Sequence, residues 1–207
     1  SVIVIDANGC TATASETISE PAAMTLAIAP TDARCFAASD GIAAATVGGG
    51  AGNYTYLWSN GQTGPMASGL AAGAYSLVVT DANNCSISGQ FNINQPTALT
   101  GTTQSVTASC SPQPDGEASI AASGGTQPYT YRWSDPAQQT DALAQQLLPG
   151  AYTVTVTDAN ACSFIQNVTV ASSPMVQLQI QSIPVSCHSG NDGIITATAS
   201  GGTGAFS

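Results

Sequence analysis

Lysine is absent from the 207 residues, and the basic side chains are limited to Arg34 and Arg132. The chain carries 12 acidic residues, which gives a formal net charge of −10 at pH 7. Binding to nucleic acid requires basic side chains that neutralise phosphates, so this composition excludes a nucleic-acid partner. An anionic membrane surface is disfavoured for the same electrostatic reason.

Long apolar runs are also missing. No segment approaches the ~20 consecutive apolar residues of a membrane-spanning helix, and residues 1–21 lack the basic start of a secretory signal peptide. We therefore expect no membrane insertion of these residues, and we expect any export signal to lie in sequence outside them. Helical periodicity is weak and confined to residues 141–148.

Groups that carry reaction chemistry are equally scarce. His188 is the only histidine, and no set of nucleophile, histidine and acid accompanies it. The cysteines follow one another at gaps of about 25 or 50 residues, whereas zinc sites use closely spaced ligand pairs. We expect neither enzymatic activity nor a metal or other cofactor.

Short strings that recur at a fixed spacing are the most informative feature that is present. The string Asp-Ala-Asn-x-Cys occurs at residues 6–10, 81–85 and 158–162. A glycine pair and an aromatic segment follow the same period, at residues 49–58 and 124–133, and the glycine pair returns at 201–202. A period of about 75 residues indicates small domains in an array rather than turns of a solenoid.

The repeat phase also sets the domain boundaries. Pro21, Pro96 and Pro174 stand at equivalent places, where a strand must stop pairing. We predict the C-terminal end of one repeat, two complete repeats and the N-terminal part of a further repeat, at residues 1–21, 22–96, 97–174 and 175–207.

Alternation of apolar and polar residues predicts short, half-buried strands. The segment 152–157, for example, places Tyr152, Val154 and Val156 on one face and threonines on the other. Six or seven such strands in about 75 residues predict an all-β protein made of tandem immunoglobulin-like β-sandwich modules. The aromatic side chains predicted to pack in the cores are Tyr56, Trp58, Tyr75, Tyr131, Trp133 and Tyr152. A carbohydrate-stacking platform is the alternative role of this aromatic strand, and its alternation with threonine favours core packing.

Aspartates followed by Ala or Gly mark turns, in which the carboxylate accepts backbone hydrogen bonds and a glycine accepts a positive φ. They are also candidate calcium ligands, namely Asp40, Asp81, Asp115 and Asp158. Calcium takes six to eight oxygens, usually from carboxylates that lie close together. These aspartates are spread one to a turn, so we favour solvated turn residues over a metal site.

Three motifs in a common phase resemble the SprB repeat. They are Gly-Gly-x-x-x-Tyr-Thr-Tyr-x-Trp-Ser, the string Gly-Leu-Ala-Ala-Gly-Ala-Tyr at 69–75, and Asp-Ala-Asn-x-Cys. The resemblance extends along the whole chain. It implies a very long, secreted adhesin on the cell surface of gliding and related Bacteroidota, exported by a type IX secretion system.

Six cysteines at a fixed phase are typical of disulfides formed in an oxidising, extracellular compartment. Repeat symmetry allows three pairings. Bonds within modules join Cys35 to Cys85 and Cys110 to Cys162; bonds across junctions join Cys10 to Cys35, Cys85 to Cys110 and Cys162 to Cys187; a bond between neighbouring modules joins Cys35 to Cys162.

The number of strands bears on this choice. In a seven-stranded module the two cysteines lie at opposite ends, about 20 Å apart, whereas a disulfide spans less than ~7 Å between Cα atoms. Six strands place both cysteines at one end and permit the internal bond. We favour the bonds within modules, with Cys10 and Cys187 paired in neighbouring repeats.

These observations predict a structural and adhesive surface protein, an extended rod or filament of disulfide-stabilised modules. The alternative is a module that binds a carbohydrate or a calcium-dependent ligand, or a spacer beside a secreted enzyme. The expected partners are neighbouring repeats of the same chain, a surface polysaccharide and further copies in a filament.

Overall fold

The computed structural model describes residues 1–109 and 114–203. Every regular element in this part of the chain is a β-strand, and the 16 strands form small antiparallel sheets. The predicted all-β fold is therefore confirmed, and the weak helical pattern near residue 143 belongs to a strand. Within the described ranges, no helix is long and apolar enough to cross a membrane.

Two compact units divide the chain between Gln95 and Pro96. The first unit contains β1 (Val2–Ile5), β2 (Thr11–Ala14), β3 (Thr25–Thr31), β4 (Gly41–Gly48), β5 (Thr55–Trp58), β6 (Met66–Leu70), β7 (Gly73–Thr80) and β8 (Ser86–Ile93). The second contains β9 (Thr100–Val106), β10 (Gly116–Ser123), β11 (Thr130–Trp133), β12 (Leu143–Leu147), β13 (Gly150–Thr157), β14 (Ser163–Val170), β15 (Gln177–Ile183) and β16 (Ile194–Ser200).

Each unit contains one β-sandwich module of two three-stranded sheets. In the first module the strand orders are β3-β4-β6 and β5-β7-β8, and in the second they are β9-β10-β12 and β11-β13-β14. The two sheets of a module share one hydrophobic core, which in the first includes Ala43 and Leu70 from one sheet and Trp58, Leu77 and Val79 from the other. Alternation along β7 buries Leu77 and Val79 and leaves Val78 exposed, as a period of two requires.

The aromatic residues predicted for the core occupy two depths. Trp58 and Trp133 are buried, at 2% and 1% exposure. Each indole N–H has a partner, because Trp58 Nε1 donates to the Gly64 carbonyl (2.9 Å) and Trp133 Nε1 to that of Asp141 (2.8 Å). A buried indole would otherwise lose a hydrogen bond on folding.

The tyrosines lie at the margin of the cores, where they are partly buried and packed against the buried residues; they are Tyr56, Tyr75, Tyr131 and Tyr152. Tyr75 stacks on Phe91 across the β7–β8 pair, with ring centroids 5.7 Å apart. The Tyr75 hydroxyl donates to the Ala71 carbonyl (3.1 Å), and the Tyr152 hydroxyl to that of Leu148 (2.8 Å). Such bonds fix the corner that precedes the strand.

The glycines of the Asp-Gly turns were predicted to adopt a positive φ, but Gly41 and Gly116 do not. A Cβ on Gly41 would lie 2.7 Å from Ile93 Cγ2 and 2.8 Å from the Leu70 carbonyl oxygen. The close approach of neighbouring strands, rather than backbone handedness, therefore selects glycine here.

Hairpins β1–β2 and β15–β16 have the same antiparallel pairing, and within the described part of the chain no second sheet covers them. Their side chains are exposed, including Val2, Val4, Leu178 and Ile180. A Cβ on Gly201 would lie 2.2 Å from the Met175 carbonyl oxygen, just as a Cβ on Gly49 or Gly124 would lie 2.1 or 2.0 Å from a carbonyl oxygen in its own module. The repeat pattern is therefore visible in these hairpins as well.

Candidate functional site

Two ends can be distinguished in the first module. The Asp81 end comprises the turns at residues 49–52 and 81–85, and the Cys35 end comprises residues 32–40 and 94–95. Each end carries one cysteine and one of the turn aspartates. The candidate site residues of the sequence analysis therefore fall at these ends or in the core between them.

Asp81 closes its end of the module. Its Oδ2 accepts a hydrogen bond from the backbone N–H of Ala51 (2.8 Å), and its Oδ1 accepts from those of Asn83 and Cys85 (2.9 Å each). The carboxylate thus ties the Asp-Ala-Asn-Asn-Cys turn to the glycine-rich turn. A Cβ on Gly50 would lie 2.7 Å from Asp81 Oδ2, so the bare backbone of the glycine turn lets the carboxylate approach.

The same arrangement recurs in the second module. Asp158 Oδ2 accepts from the Thr126 N–H and Oδ1 from the N–H groups of Asn160 and Cys162, all at 2.9 Å. Asp81 and Asp158 are each 5% exposed, so the expectation of solvated turn residues is wrong for both. Their carboxylates are buried because the glycine turn covers them, and backbone N–H groups replace the water.

The electrostatic effect follows from these bonds. The N–H of Ala51 is the largest influence that lowers the pKa of Asp81 below its ordinary value, and burial acts in the opposite direction. At Asp158 burial raises the pKa, but the N–H groups of Thr126, Cys162 and Asn160 together outweigh it, so the pKa is lowered. Both carboxylates are therefore charged at neutral pH.

The aspartates of the Asp-Gly turns have a different partner. Asp40 Oδ1 accepts from the Arg34 N–H (3.0 Å), and Asp115 Oδ1 from that of Ser109 (2.8 Å). The hydroxyl of Ser109, followed by its N–H, lowers the pKa of Asp115. The bond to Asp40 closes the loop that holds Cys35 in the first module.

Within the first module, the calcium candidates do not converge on one another. Asp40 and Asp81 stand at opposite ends of the first module, and each is committed to backbone N–H groups. Among the described residues, no group of three or more His, Cys, Asp or Glu side chains is placed to hold a metal ion. The arrangement serves to close turns.

The states of the cysteines differ along the chain. Cys35 and Cys162 are disulfide-bonded, whereas Cys10, Cys85 and Cys187 are free and exposed. Cys110 lies outside the described residues. The favoured bond between Cys35 and Cys85 is therefore wrong, and the junction bonds of Cys10 with Cys35 and of Cys162 with Cys187 are not formed either.

Strand β8 explains why Cys35 and Cys85 do not meet. Cys85 directly precedes β8, and the strand ends at Ile93. The next residue, Asn94, accepts a hydrogen bond from the Ala33 N–H (2.9 Å) at the Cys35 end. A strand of this length spans about 26 Å, far more than the ~7 Å between Cα atoms that a disulfide bridges.

Six strands that alternated in direction would have placed both cysteines of the first module at one end, but the strands do not alternate throughout. The module has six strands, but β5 and β6 run in the same direction, from the Asp81 end towards the Cys35 end. The chain turns after Trp58, where the Trp58 N–H donates to the Gln62 carbonyl (3.0 Å), and returns without strand pairing before β6 begins. This return restores the opposite placement of the two cysteines.

Asp135 is a further buried carboxylate, which the sequence analysis did not single out. It is 3% exposed, and its oxygens accept from the N–H groups of Ala137 (3.1 Å) and Gln139 (3.0 Å) and from Gln139 Nε2 (3.1 Å). The signal in the sequence was the longer stretch between the tryptophan and the following glutamine in the second repeat.

Comparison with known families agrees with the repeat pattern. The SprB repeat model matches residues 27–63, 102–138 and 181–207. The first two segments run from the opening strand of a module to just beyond the tryptophan strand, so they include the Cys35-type loop and the glycine pair. No curated protein matches the chain.

SprB repeats are typical of cell-surface repeat proteins of the Bacteroidota type. The motifs that resemble this repeat are the ones that build the module: the glycine pair admits Asp81, and the tryptophan fills the core. Three successive segments of the chain therefore match the SprB repeat.

Proposed function

We propose that this chain is part of an extended, disulfide-stabilised surface rod or filament with an adhesive role. One observation carries the proposal: the chain enters the first module at one end and leaves it at the other. Ala22 accepts a hydrogen bond from the Gly50 N–H (2.7 Å) at the Asp81 end, and β8 ends at the Cys35 end. Modules threaded in this way suit end-to-end arrays, because no long connection is needed between one module and the next.

The disulfides in this proposal stabilise the modules. Cys35 and Cys162 are disulfide-bonded, and the length of β8 rules out a bond between Cys35 and Cys85 within the first module. A disulfide limits how far the chain extends when a module unfolds.

The proposed location is the extracellular face of the cell. Its support is the SprB repeat together with the presence of disulfide-bonded cysteines, which persist in oxidising compartments. The proposal includes no catalytic activity and no nucleic-acid partner. Neighbouring repeats, further copies and a surface polysaccharide are the partners that it includes.

Small-angle X-ray scattering of the 207-residue chain tests the rod. A compact globule of this length has a radius of gyration of about 17 Å, and a rod of modules should exceed this value by at least half. The control is the same protein in reducing agent, with circular dichroism to verify that the sheets persist. A folded protein with a radius near that of the globule would contradict the proposal.

Antibody labelling of intact cells tests the location. Binding before permeabilisation is the expected result, and a periplasmic or cytoplasmic marker must stay unlabelled as the control. Labelling that needs permeabilisation would contradict a surface role.

A further inference from the structure

The second module contains a cleft that the repeat architecture does not require. It has a volume of ≈ 560 Å³ and is lined in part by Asp135, Pro136, Gln145, Gln146, Leu148 and Tyr152. This volume lies within the range of small-molecule sites, about 300–1,000 Å³. All of these residues belong to the second unit.

The cleft lies where the second repeat departs from the first. The Trp133 N–H donates to the Gln139 carbonyl as the Trp58 N–H does to that of Gln62, at 3.0 Å in both. The stretch between these partners is longer in the second module and contains Asp135 and Pro136. The tyrosine hydroxyl donates to the carbonyl of Ala71 in the first module and to that of Leu148 in the second, so a larger side chain stands at this position in the second module.

Gln146 is the second departure. Leu147 pairs with Gly116 and Leu70 pairs with Gly41 next to equivalent β-bulges, so Gln146 occupies the position of Gly69. Gly69 has a φ of 68°, and Gln146 has a φ of 55°. A left-handed bulge position favours glycine, so the glutamine is not required by the fold. Strained non-glycine residues of this kind cluster at functional sites.

The cleft is held rigidly. Buried Asp135 accepts hydrogen bonds from the Ala137 and Gln139 N–H groups, and Gln139 in turn bonds the backbone of Gln145 through both ends of its amide (2.9 and 3.0 Å). The Tyr152 hydroxyl donates to the Leu148 carbonyl at 2.8 Å. A preorganised site of this kind loses little entropy on binding.

We propose that this cleft binds an uncharged saccharide. Glutamine amides both donate and accept, which matches sugar hydroxyl groups, and Pro136, Leu148 and the ring of Tyr152 offer an apolar surface to the C–H face of a sugar. None of the described residues that line the cleft is basic. An acidic sugar would meet the Asp135 carboxylate in a chain of net charge −10, with no basic side chain among the described lining residues.

The test uses the full 207-residue chain on an array of neutral and acidic oligosaccharides, followed by calorimetric titration of the neutral glycan that gives the strongest signal. The variants are Gln146→Gly and Leu148→Ala. Each introduces the residue that the first module has at the equivalent position, Gly69 or Ala71, so both variants should fold. Each is expected to weaken binding at least tenfold. Gln179→Ala, an exposed glutamine on β15, is the matched control and should bind like the original.

Three results would overturn the site: no neutral glycan binds, only acidic glycans bind, or both cleft variants bind the neutral glycan as tightly as the original chain. The rod proposed above does not depend on this cleft, and its scattering test is separate. Loss of either proposal would therefore leave the other to be judged on its own measurement.

Discussion

Buried aspartates hold the turns of this protein through hydrogen bonds from backbone N–H groups. Asp81 and Asp158 each accept three backbone hydrogen bonds, two from their own turn and one from the glycine-rich turn. Hydrogen bonds to a carboxylate are stronger than those between neutral groups. A chain with no lysine can therefore bury acidic residues, since N–H groups supply the positive ends of the dipoles.

These carboxylates predict how stability depends on pH. The pKa values of Asp81, Asp115, Asp158 and Asp192 are lowered in the folded state. The unfolded chain then binds more protons than the folded one near pH 4, so the stabilisation is complete above the unfolded pKa of about 3.9 and is lost as pH falls through the lower folded values. Urea unfolding from pH 7 to pH 2.5 should show this fall below about pH 4.

The control for this dependence is the double variant Asp81→Asn, Asp158→Asn. This variant should be less stable at pH 7, because an amide NH₂ group would face the N–H of Ala51 or Thr126. Its free energy of unfolding should also fall less steeply as the pH is lowered. If the free energy of unfolding fell as steeply below pH 4 as in the original chain, groups other than Asp81 and Asp158 would be responsible for the pH dependence.

A single backbone position offers a second test at this scale. Ala161 has a φ of 64°, and the equivalent residues in the other copies of the turn are Gly9 (84°) and Asn84 (62°). Alanine is strained in the left-handed region, so Ala161→Gly should raise the free energy of unfolding by about 1 kcal/mol. Ala159→Gly, two residues earlier and not at positive φ, should lower it by about 0.5–1 kcal/mol. Thermal or urea unfolding measures both, and a loss of stability in Ala161→Gly would contradict the argument.

At the scale of elements, the strands were predictable and their directions were not. Alternation in segments such as Tyr152–Thr157 identifies a half-buried strand from the sequence alone, and β13 covers this segment. The direction of β6 depends on an unpaired return after Trp58 that has no periodic signal. Six alternating strands would therefore place Cys35 and Cys85 at the same end of the first module, whereas they lie at opposite ends.

The ends of strand β4 give a matched pair of glycines. A Cβ on Gly41 would lie 2.8 Å from a backbone oxygen and 2.7 Å from the buried Ile93, whereas a Cβ on Gly48 would meet only the Thr25 side-chain oxygen at 3.0 Å. Gly41→Ala should therefore cost about 1–3 kcal/mol through overpacking, because strand and core must both shift. Gly48→Ala should change stability by less than about 0.5 kcal/mol, since a threonine side chain can rotate away. Equal losses in the two variants, measured by urea unfolding, would contradict the close approach at Gly41.

At the scale of the whole molecule, the repeat period and the all-β fold were readable because they are encoded in local strings and alternation. The cysteine pairing and the cleft were not readable, since both depend on which residues the strand directions and a bulge bring together. Gln146 shows the limit clearly. The sequence aligns it with Gly69, but its positive φ and its place in the cleft are seen only in the structure.

The cysteines predict unequal effects on stability. Cys85 is free and exposed, so Cys85→Ser should change the free energy of unfolding by less than about 0.5 kcal/mol. Cys35 is disulfide-bonded, so Cys35→Ser should cost about 2–4 kcal/mol. Thermal unfolding under oxidising conditions compares them, with both variants in reducing agent as the control. A loss for Cys85→Ser as large as that for Cys35→Ser would contradict the assignment.

Peptide mapping of the unreduced protein tests the account most directly. Digestion with pepsin at low pH prevents thiol exchange, and mass spectrometry then identifies the peptides that are joined through sulfur. The peptides that contain Cys35 and Cys162 should each be recovered joined to another peptide through sulfur, and Cys85 should be recovered as a free thiol. A Cys35 peptide joined to the Cys85 peptide would contradict it, because the two residues could then not lie at opposite ends of β8.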